Sequence, residues 1–575
     1  MCASRNRHVV IALDFGTTFS GAAWALTDSP HEHYLINQWP STASGSLSGP
    51  TSEKVPTEIA FEYSESGPTC LWGFQIPESM PRHQWIKLAL DPGQKGSVSL
   101  LSSICGDRRE VPPPYHASPE ELVTSYLSCM HKHIMRVLES KVGAAFSTMT
   151  WEYVVTVPAV WSDAAKARTN ACAEKAGLGK ISSTRMISEP EAAAIHALRS
   201  SNPRTLNVGD TIVLCDAGGG TVDLITFSIV ELKPRLRLKE EAPGSGELCG
   251  GAFLNRRFEE FLEKKLSSDP GWGRDTLEEA LQRFETVAKR VFDGNIHNEF
   301  MIPVPGIDNN DDLGVRRGKI RLSGEDMRSI FEPILKQVLE LVKGQIEASR
   351  GSVSAVFLVG GLGQNPSLQN FIQERIDPRI EVIQVTNGWT AVVRGALAKV
   401  ASEVAPSLEA ISVDSRIARK HYGFICIKPF DPARHDPHKK YFCDYEGKYV
   451  IQVMKWLIRK GDRIEEGKPL ESEWYQYQLT KYGIFNSISV TLYELDTPNG
   501  EDAPMYFNRK MKKHVHLCPS LGEIPRSRIP IRTGKDRRSY YILNFKIHAA
   551  YFSAHCEYTL WHEGQNYGTV KATYD

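Results

Sequence analysis

TIVLCDAGGGTVDLITFSIV, residues 211–230, decides the fold. IVLC and LITFSIV are short, continuously apolar runs, the pattern of strands buried on both faces. Between them stands DAGGGTVD (216–223). Three consecutive glycines serve no packing purpose and cost conformational entropy on folding. Their economical role is a backbone cradle for phosphate at Gly218, Gly219 and Gly220, with Thr221 as a donor and Asp216 or Asp223 near a metal. The plain alternative is a glycine-rich hairpin without a ligand.

The N-terminal region repeats this grammar. VVIALDF (9–15) reads as a buried strand that delivers Asp14 to DFGTT (14–18). Gly16 lets backbone N–H groups approach an anion with no Cβ in the way, and Thr17 and Thr18 add hydroxyls. An aspartate repels phosphate directly, so Asp14 is expected to act through Mg2+ or water. The second motif follows the first by about 200 residues. Two similar lobes are therefore expected, with hairpins facing across a cleft and the γ-phosphate of ATP bridging both.

Other segments fit alternating strands and helices. Helices are predicted at 119–141 and 164–177, the latter capped by Ser162. Strands are predicted at 152–161 and 355–361, and ISEPEAAAIHAL (187–198) reads as a turn into a helix. Residues 257–292 are mostly helical in pattern. Ser323 and Asp326 open a helix over 323–342, and 390–401 closes the region as another. Residues 41–54 read as a surface loop. Beyond about 405 the period falls to two, as in SISVTLYEL (487–495) and YILNFKIHAAY (541–551), so a mostly β domain is expected.

The 575 residues are 41% hydrophobic and 24% charged, enough for several large cores. Lys+Arg and Asp+Glu are both 68, so charge points to neither nucleic acid nor an anionic membrane. Eleven scattered cysteines form no framework, which fits reduced thiols. No signal peptide or membrane span is read, and a cytoplasmic location, with the nucleus open to it, is expected. HVHLC (514–518) reads as a solvated edge strand and NRKMKK (508–513) as a solvated loop.

Residues 8–402 resemble the 70-kDa heat-shock protein family of the actin-like ATPase superfamily. DFGTTFS (14–20), VVTVPAVWSDAAKARTNACAEKAGL (154–178), ISEPEAAAIHAL, DAGGGTVDL (216–224), GGAFLNRRFEEFL (250–262), VFLVGGLGQNPSLQ (356–369) and AVVRGAL (391–397) resemble its motifs in order. The resemblance implies an α/β two-lobed actin-like ATPase, with duplicated ribonuclease-H-like lobes, followed by a mostly β C-terminal domain. The nucleotide-binding domain would span 1–404, with lobe I at 8–205 plus 385–404 and lobe II at 206–384. A linker would follow at 405–430, then a divergent β-rich domain at 431–575 without a helical lid.

Carried over by position, the resemblance implies that Asp14, Thr17, Thr18, Asp216 and Thr221 surround phosphates and Mg2+. Asp14 and Asp216 would hold the metal through water. Glu189 would lie near the metal's water shell or position the attacking water, and Lys87 in WIKLAL (85–90) would be the catalytic lysine. Gly16, Phe19, Gly218, Gly219, Gly220, Asp223, Gly250 and Gly251 would contact the nucleotide. Gly360, Gly361 and Gln364 would back the adenosine, clamped by Glu285, Lys289 and Arg290.

Three departures stand out. The Glu285-to-Lys289 spacing is one residue longer than the family's. Leu362 and Gln364 replace a small polar residue and an adenine-stacking arginine. Trp389 replaces an acidic residue. The expected activity is slow, Mg2+-dependent ATP hydrolysis in a chaperone-like protein whose partners are client polypeptides or co-chaperones. Alternatives are a nucleotide-binding scaffold without hydrolysis and a small-molecule kinase of the same superfamily.

Overall fold

A computed structural model describes residues 8–41, 51–64, 67–77, 80–91, 117–179, 184–200, 206–233, 235–404, 411–485, 487–498 and 500–574. Most of the 41–54 loop and residues 405–410 of the expected linker lie outside them. The chain forms two compact units, Met1–Ser412 and Val413–Asp575.

The first unit contains one topology twice. In its N-terminal half, β1 (His8–Asp14) runs antiparallel to β2 (Phe19–Leu26), and Tyr34–Leu35 flanks β2. Helix α1 (Pro119–Val142) precedes β3 (Thr150–Val157), which is parallel to β1. Helix α2 (Asp163–Lys175) leads to β4 (Thr184–Ser188), parallel to β3, and α3 (Glu189–Ser200) follows without a break.

The second half repeats the plan. β5 (Thr211–Ala217) is antiparallel to β6 (Val222–Glu231), and β7 (Leu236–Glu247) flanks β6. Helices α4 (Gly251–Leu266), α5 (Arg274–Arg283) and α6 (Gly324–Ala348) precede β8 (Val353–Val359), which is parallel to β5. Then α7 (Pro366–Gln373) leads to β9 (Glu381–Gln384), parallel to β8, and α8 (Ala391–Val404) follows. Matching strands thus occupy matching places, Tyr34–Leu35, β2, β1, β3, β4 against β7, β6, β5, β8, β9. The central strands are buried nearly throughout, because helices cover the faces of each mixed sheet.

Local chemistry sets the helix starts. Ser118 and Glu121 form a capping box on α1, as do Ser323 and Asp326 on α6, and Ser162 accepts a bond from the Ala165 N–H on α2. Helix α3 packs against α8 and also touches β5 and β6, whereas α8 lies on β1, β2 and β3. The helix following each half therefore crosses to the other half. At the crossing, a Cβ on Gly395 would fall 1.6 Å from the Ala192 carbonyl oxygen.

The second unit has no α-helix among its described residues. One antiparallel sheet runs Lys440–Cys443, Lys448–Ile458, His421–Pro429, Val490–Leu495, Lys512–Cys518, Lys571–Tyr574. The other runs Leu470–Leu479, Ser539–Tyr551, Cys556–His562, Gln565–Thr569, with Ile531–Thr533 beside Ser539–Tyr551. Phe424, Val490 and Val515 from the first share one core with Leu543, Phe545 and Leu560 from the second, as in a β-sandwich.

Two expectations change. The segment 405–430 carries strands Ile411–Ile417 and His421–Pro429 instead of a plain linker. Its alternate residues Ile411, Val413, Ser415 and Ile417 are buried, so polar residues between them hid a strand. HVHLC lies inside its sheet, paired on both sides, and is not an edge. His514 packs there beside Glu494 at 3.3 Å. No group of three or more His, Cys, Asp or Glu able to hold a metal occurs among the described residues. Nor is any described helix long and apolar enough to cross a membrane.

Candidate nucleotide site

A cavity of about 560 Å3 opens in the first unit, lined from both halves. Its floor is the pair of hairpins at the ends of β1 and β5. The triple glycine is held from behind by the start of α4. The Gly250, Gly251 and Ala252 N–H groups donate to the Gly220, Gly218 and Gly219 carbonyls at 3.1, 3.0 and 2.8 Å. The Gly218 N–H closes the turn on the Thr221 carbonyl at 2.9 Å. With the carbonyls engaged, the Gly219 and Gly220 N–H groups have no hydrogen-bond partner among the described residues. Two adjacent N–H groups of this kind make an anion-binding concavity.

The hairpins meet directly. A Cβ on Gly219 would lie 2.0 Å from Thr18 Oγ1, and one on Gly220 would lie 2.6 Å from Thr17 Cγ2. Gly250 stands behind the cradle, where a Cβ would come 2.6 Å from Gly219 backbone atoms. Gly360 has φ +81°, and a Cβ there would strike the Ala217 carbonyl at 2.4 Å and Asp216 Oδ1 at 2.5 Å. Side chains are thus excluded wherever backbone crowds the cavity floor.

Asp14, Gly16, Thr17, Thr18, Phe19, Glu189, Asp216, Gly218, Gly219, Gly220, Thr221 and Gly251 line the cavity. Gly360, Gly361, Gln364, Glu285, Lys289 and Arg290 line it as well. Lys87, Asp223 and Gly250 do not reach the cavity wall. Asp223 is buried opposite Asp216 across the hairpin.

Lys87 is 1% exposed and is ion-paired with Glu189 beneath the floor. Burial raises the Glu189 carboxyl above its ordinary range, while the Lys87 ammonium opposes the rise. Desolvation likewise pushes Asp216 up to about 7, against the pull of Lys54. Lys87→Met leaves Glu189 buried without its cation and should cost about 3 kcal/mol at neutral pH. The raised Glu189 binds its proton in the folded state first, so charge destabilises the variant as pH rises. Urea denaturation across pH should therefore show the deficit shrinking as pH falls from the raised Glu189 value to the ordinary carboxylate range, and flat below it. A deficit independent of pH would exclude this cause.

The helix after α5 contains a π turn, Phe284–Ala288, continued by Lys289–Val291. The Lys289 N–H reaches the Phe284 carbonyl, and Arg290 Nε donates to the Glu285 carbonyl at 3.2 Å. The wide turn accommodates the four-position spacing of Glu285 and Lys289. Lys289 pairs with Glu285, donates to Asn255 Oδ1 at 3.0 Å, and its carbonyl accepts from Asn365 Nδ2 at 2.6 Å. Trp389 lines the cavity and meets Phe19 edge-on, ring centroids 6.0 Å apart.

Sequence reasoning missed Lys54. Its Nζ lies 2.7 Å from Asp14 Oδ2, and Thr156 Oγ1 donates to Asp14 Oδ1 at 3.2 Å. The available signal was the position of Lys54 immediately before Val55–Pro56, the short strand paired with Phe19 and Ser20 beside the first hairpin. The donor set suits a phosphate-bearing ligand, because the glycine cradle supplies N–H groups. A Mg2+ ion fits only with water and phosphate completing its shell, since Asp14 and Asp216 provide no cage by themselves.

Duplicated lobes, paired glycine hairpins and crossing helices define an actin-like ATPase-type domain followed by a mostly β region. The family described as Hsp70 protein matches residues 115–405. The chain belongs to the Hsp70 family. Residues 416–491 match a domain of unknown function, DUF8568. Heat shock 70 kDa protein 12A of Mus musculus is 22% identical over 523 residues, covering 75% of this chain and 74% of that protein. Heat shock 70 kDa protein 12B of Homo sapiens is 23% identical over 522 residues, covering 75% and 73%. Chaperone protein DnaK of Thermosipho melanesiensis is 25% identical over 380 residues, covering 64% and 56%.

Proposed function

We propose that this protein binds ATP between its two lobes and hydrolyses it slowly, with nucleotide state governing lobe closure in a chaperone-like cycle. The observation carrying this reading is the triple-glycine loop, whose carbonyls are tied to α4 while two N–H groups are left for phosphate. When bound, Mg2+ would neutralise phosphate charge, with Asp14 and Asp216 holding it through water. Thr17, Thr18 and Thr221 would donate to phosphate oxygens. Glu189, fixed by Lys87, would orient the attacking water. Glu285, Lys289 and Arg290 would face the adenosine, with Trp389 and Phe19 offering it an aromatic wall. Client polypeptides or co-chaperones are the partners proposed, in the cytoplasm.

A second reading, nucleotide binding without hydrolysis, is favoured by the withdrawal of Lys87 from the cavity wall. Single-turnover measurements with γ-labelled ATP separate the two. Phosphate release should fall about a hundredfold or more in Asp14→Asn and Asp216→Asn if the residues act as proposed. Tight binding with no release in the unaltered protein would establish the scaffold instead. Label appearing in a metabolite would identify a kinase.

A further inference from the structure

Lys54 lines the cavity beside Asp14, with which it is paired. Its side chain is 10% exposed and that of its partner Asp14 is 4% exposed, so the pair is well shielded from water. The lysine stem is fixed, because Lys54 Cγ would lie 3.3 Å from a Cβ on Gly21 of the adjoining strand. Val55–Pro56, paired to Phe19 and Ser20, anchors the backbone. The triple glycine lines the same cavity. Both Asp14 oxygens already accept bonds, one from Lys54 and one from Thr156. Lys87, below the wall, is committed to Glu189.

We propose that Lys54 is a built-in counter-cation of the phosphate end: it neutralises Asp14 and contacts a phosphate oxygen of a nucleoside di- or triphosphate. Nucleotide binding then persists largely without a divalent ion. The reason is electrostatic. An ammonium held beside a carboxylate still has donors to offer, since a lysine carries three N–H groups. A phosphate entering the cradle meets a fixed positive charge that no chelator removes. Shielding from water makes this charge count for more than it would on the surface. In this arrangement Asp14 serves first as the anchor of Lys54, and divalent-ion dependence shifts from affinity to turnover.

The inference rests on the nucleotide reading above, and the test separates the two. Calorimetry of ADP and of ATP binding to the full-length protein is carried out in Mg2+ and in excess EDTA. The expected result is a change in affinity of less than about tenfold between the two conditions. Lys54→Met should bind about tenfold or more weakly than the unaltered protein in EDTA, whereas Lys54→Arg should retain most of the affinity. A loss of more than about tenfold on chelation in the unaltered protein would overturn the inference while leaving nucleotide binding intact. This comparison needs no variant, so it stands even if Lys54→Met fails to fold. Lys54→Met binding as tightly as the unaltered protein in EDTA would also overturn it. Absence of binding in both conditions would remove the nucleotide reading itself.

Discussion

Gly395→Ala should destabilise the first unit by about 3 kcal/mol, the upper part of the range for overpacking a tight contact. The new Cβ would sit 1.6 Å from the Ala192 carbonyl oxygen, and backbone cannot turn aside as a flexible side chain can. Relief requires α3 and α8 to separate where they cross between the lobes. The substitution should also alter nucleotide affinity, because each helix packs on strands whose ends carry a hairpin. Gly344→Ala is the control. It lies in α6 with no atom within 4 Å of the added Cβ, and should stabilise by about 0.5 kcal/mol through helix propensity. Denaturant unfolding of the full-length chain would compare them, and equal midpoints would show that the crossing is looser than the geometry describes.

Gly219→Ala should weaken ATP and ADP binding by about a hundredfold while leaving the fold in place. Its Cβ would fall 2.0 Å from Thr18 Oγ1, so the cradle must open away from the first hairpin. Opening turns the Gly219 and Gly220 N–H groups from their shared focus. Hydrogen bonds to a charged phosphate contribute about 1.5–3 kcal/mol each, so losing one or two gives an effect of this size. Rotating the Thr18 hydroxyl gives no relief, because Thr18 Cγ2 and Cβ would also lie 2.8 and 2.9 Å away, and the change sits at a turn that lines the cavity, outside the lobe cores. Calorimetry beside a thermal melt separates the effects: weakened binding with an unchanged melt is expected. Unchanged binding would remove the cradle from the nucleotide site.

What could be read from sequence was mainly local. The triple glycine between two apolar runs, the Ser323–Asp326 cap and the strand-to-helix turn at Glu189 each carry their signal within a few residues. The duplication was legible because DFGTT and DAGGGTVD share a grammar, and the two matching strand orders show it as topology. Lys54 was illegible for the opposite reason. Its partner Asp14 is 40 positions away, and only the pairing of Val55–Pro56 with β2 brings them together. Lys87 could be singled out by resemblance, but its withdrawal beneath the wall depends on the buried Glu189 carboxylate, 102 positions distant. The strand Ile411–Ile417 was hidden by charged residues on its other face, although its buried positions alternate without interruption.

The π turn at Phe284–Ala288 bears on how this helix tolerates a change in length. An inserted residue in an α-helix ordinarily rotates everything beyond it by about 100°, because 3.6 residues complete a turn. Here the widened turn would confine such a change to one loop of backbone, with the Arg290 side chain covering the Glu285 carbonyl. Lys289 still reaches Glu285 and Asn255. The helix thus has a place where chain length can change by one residue without moving the groups on either side.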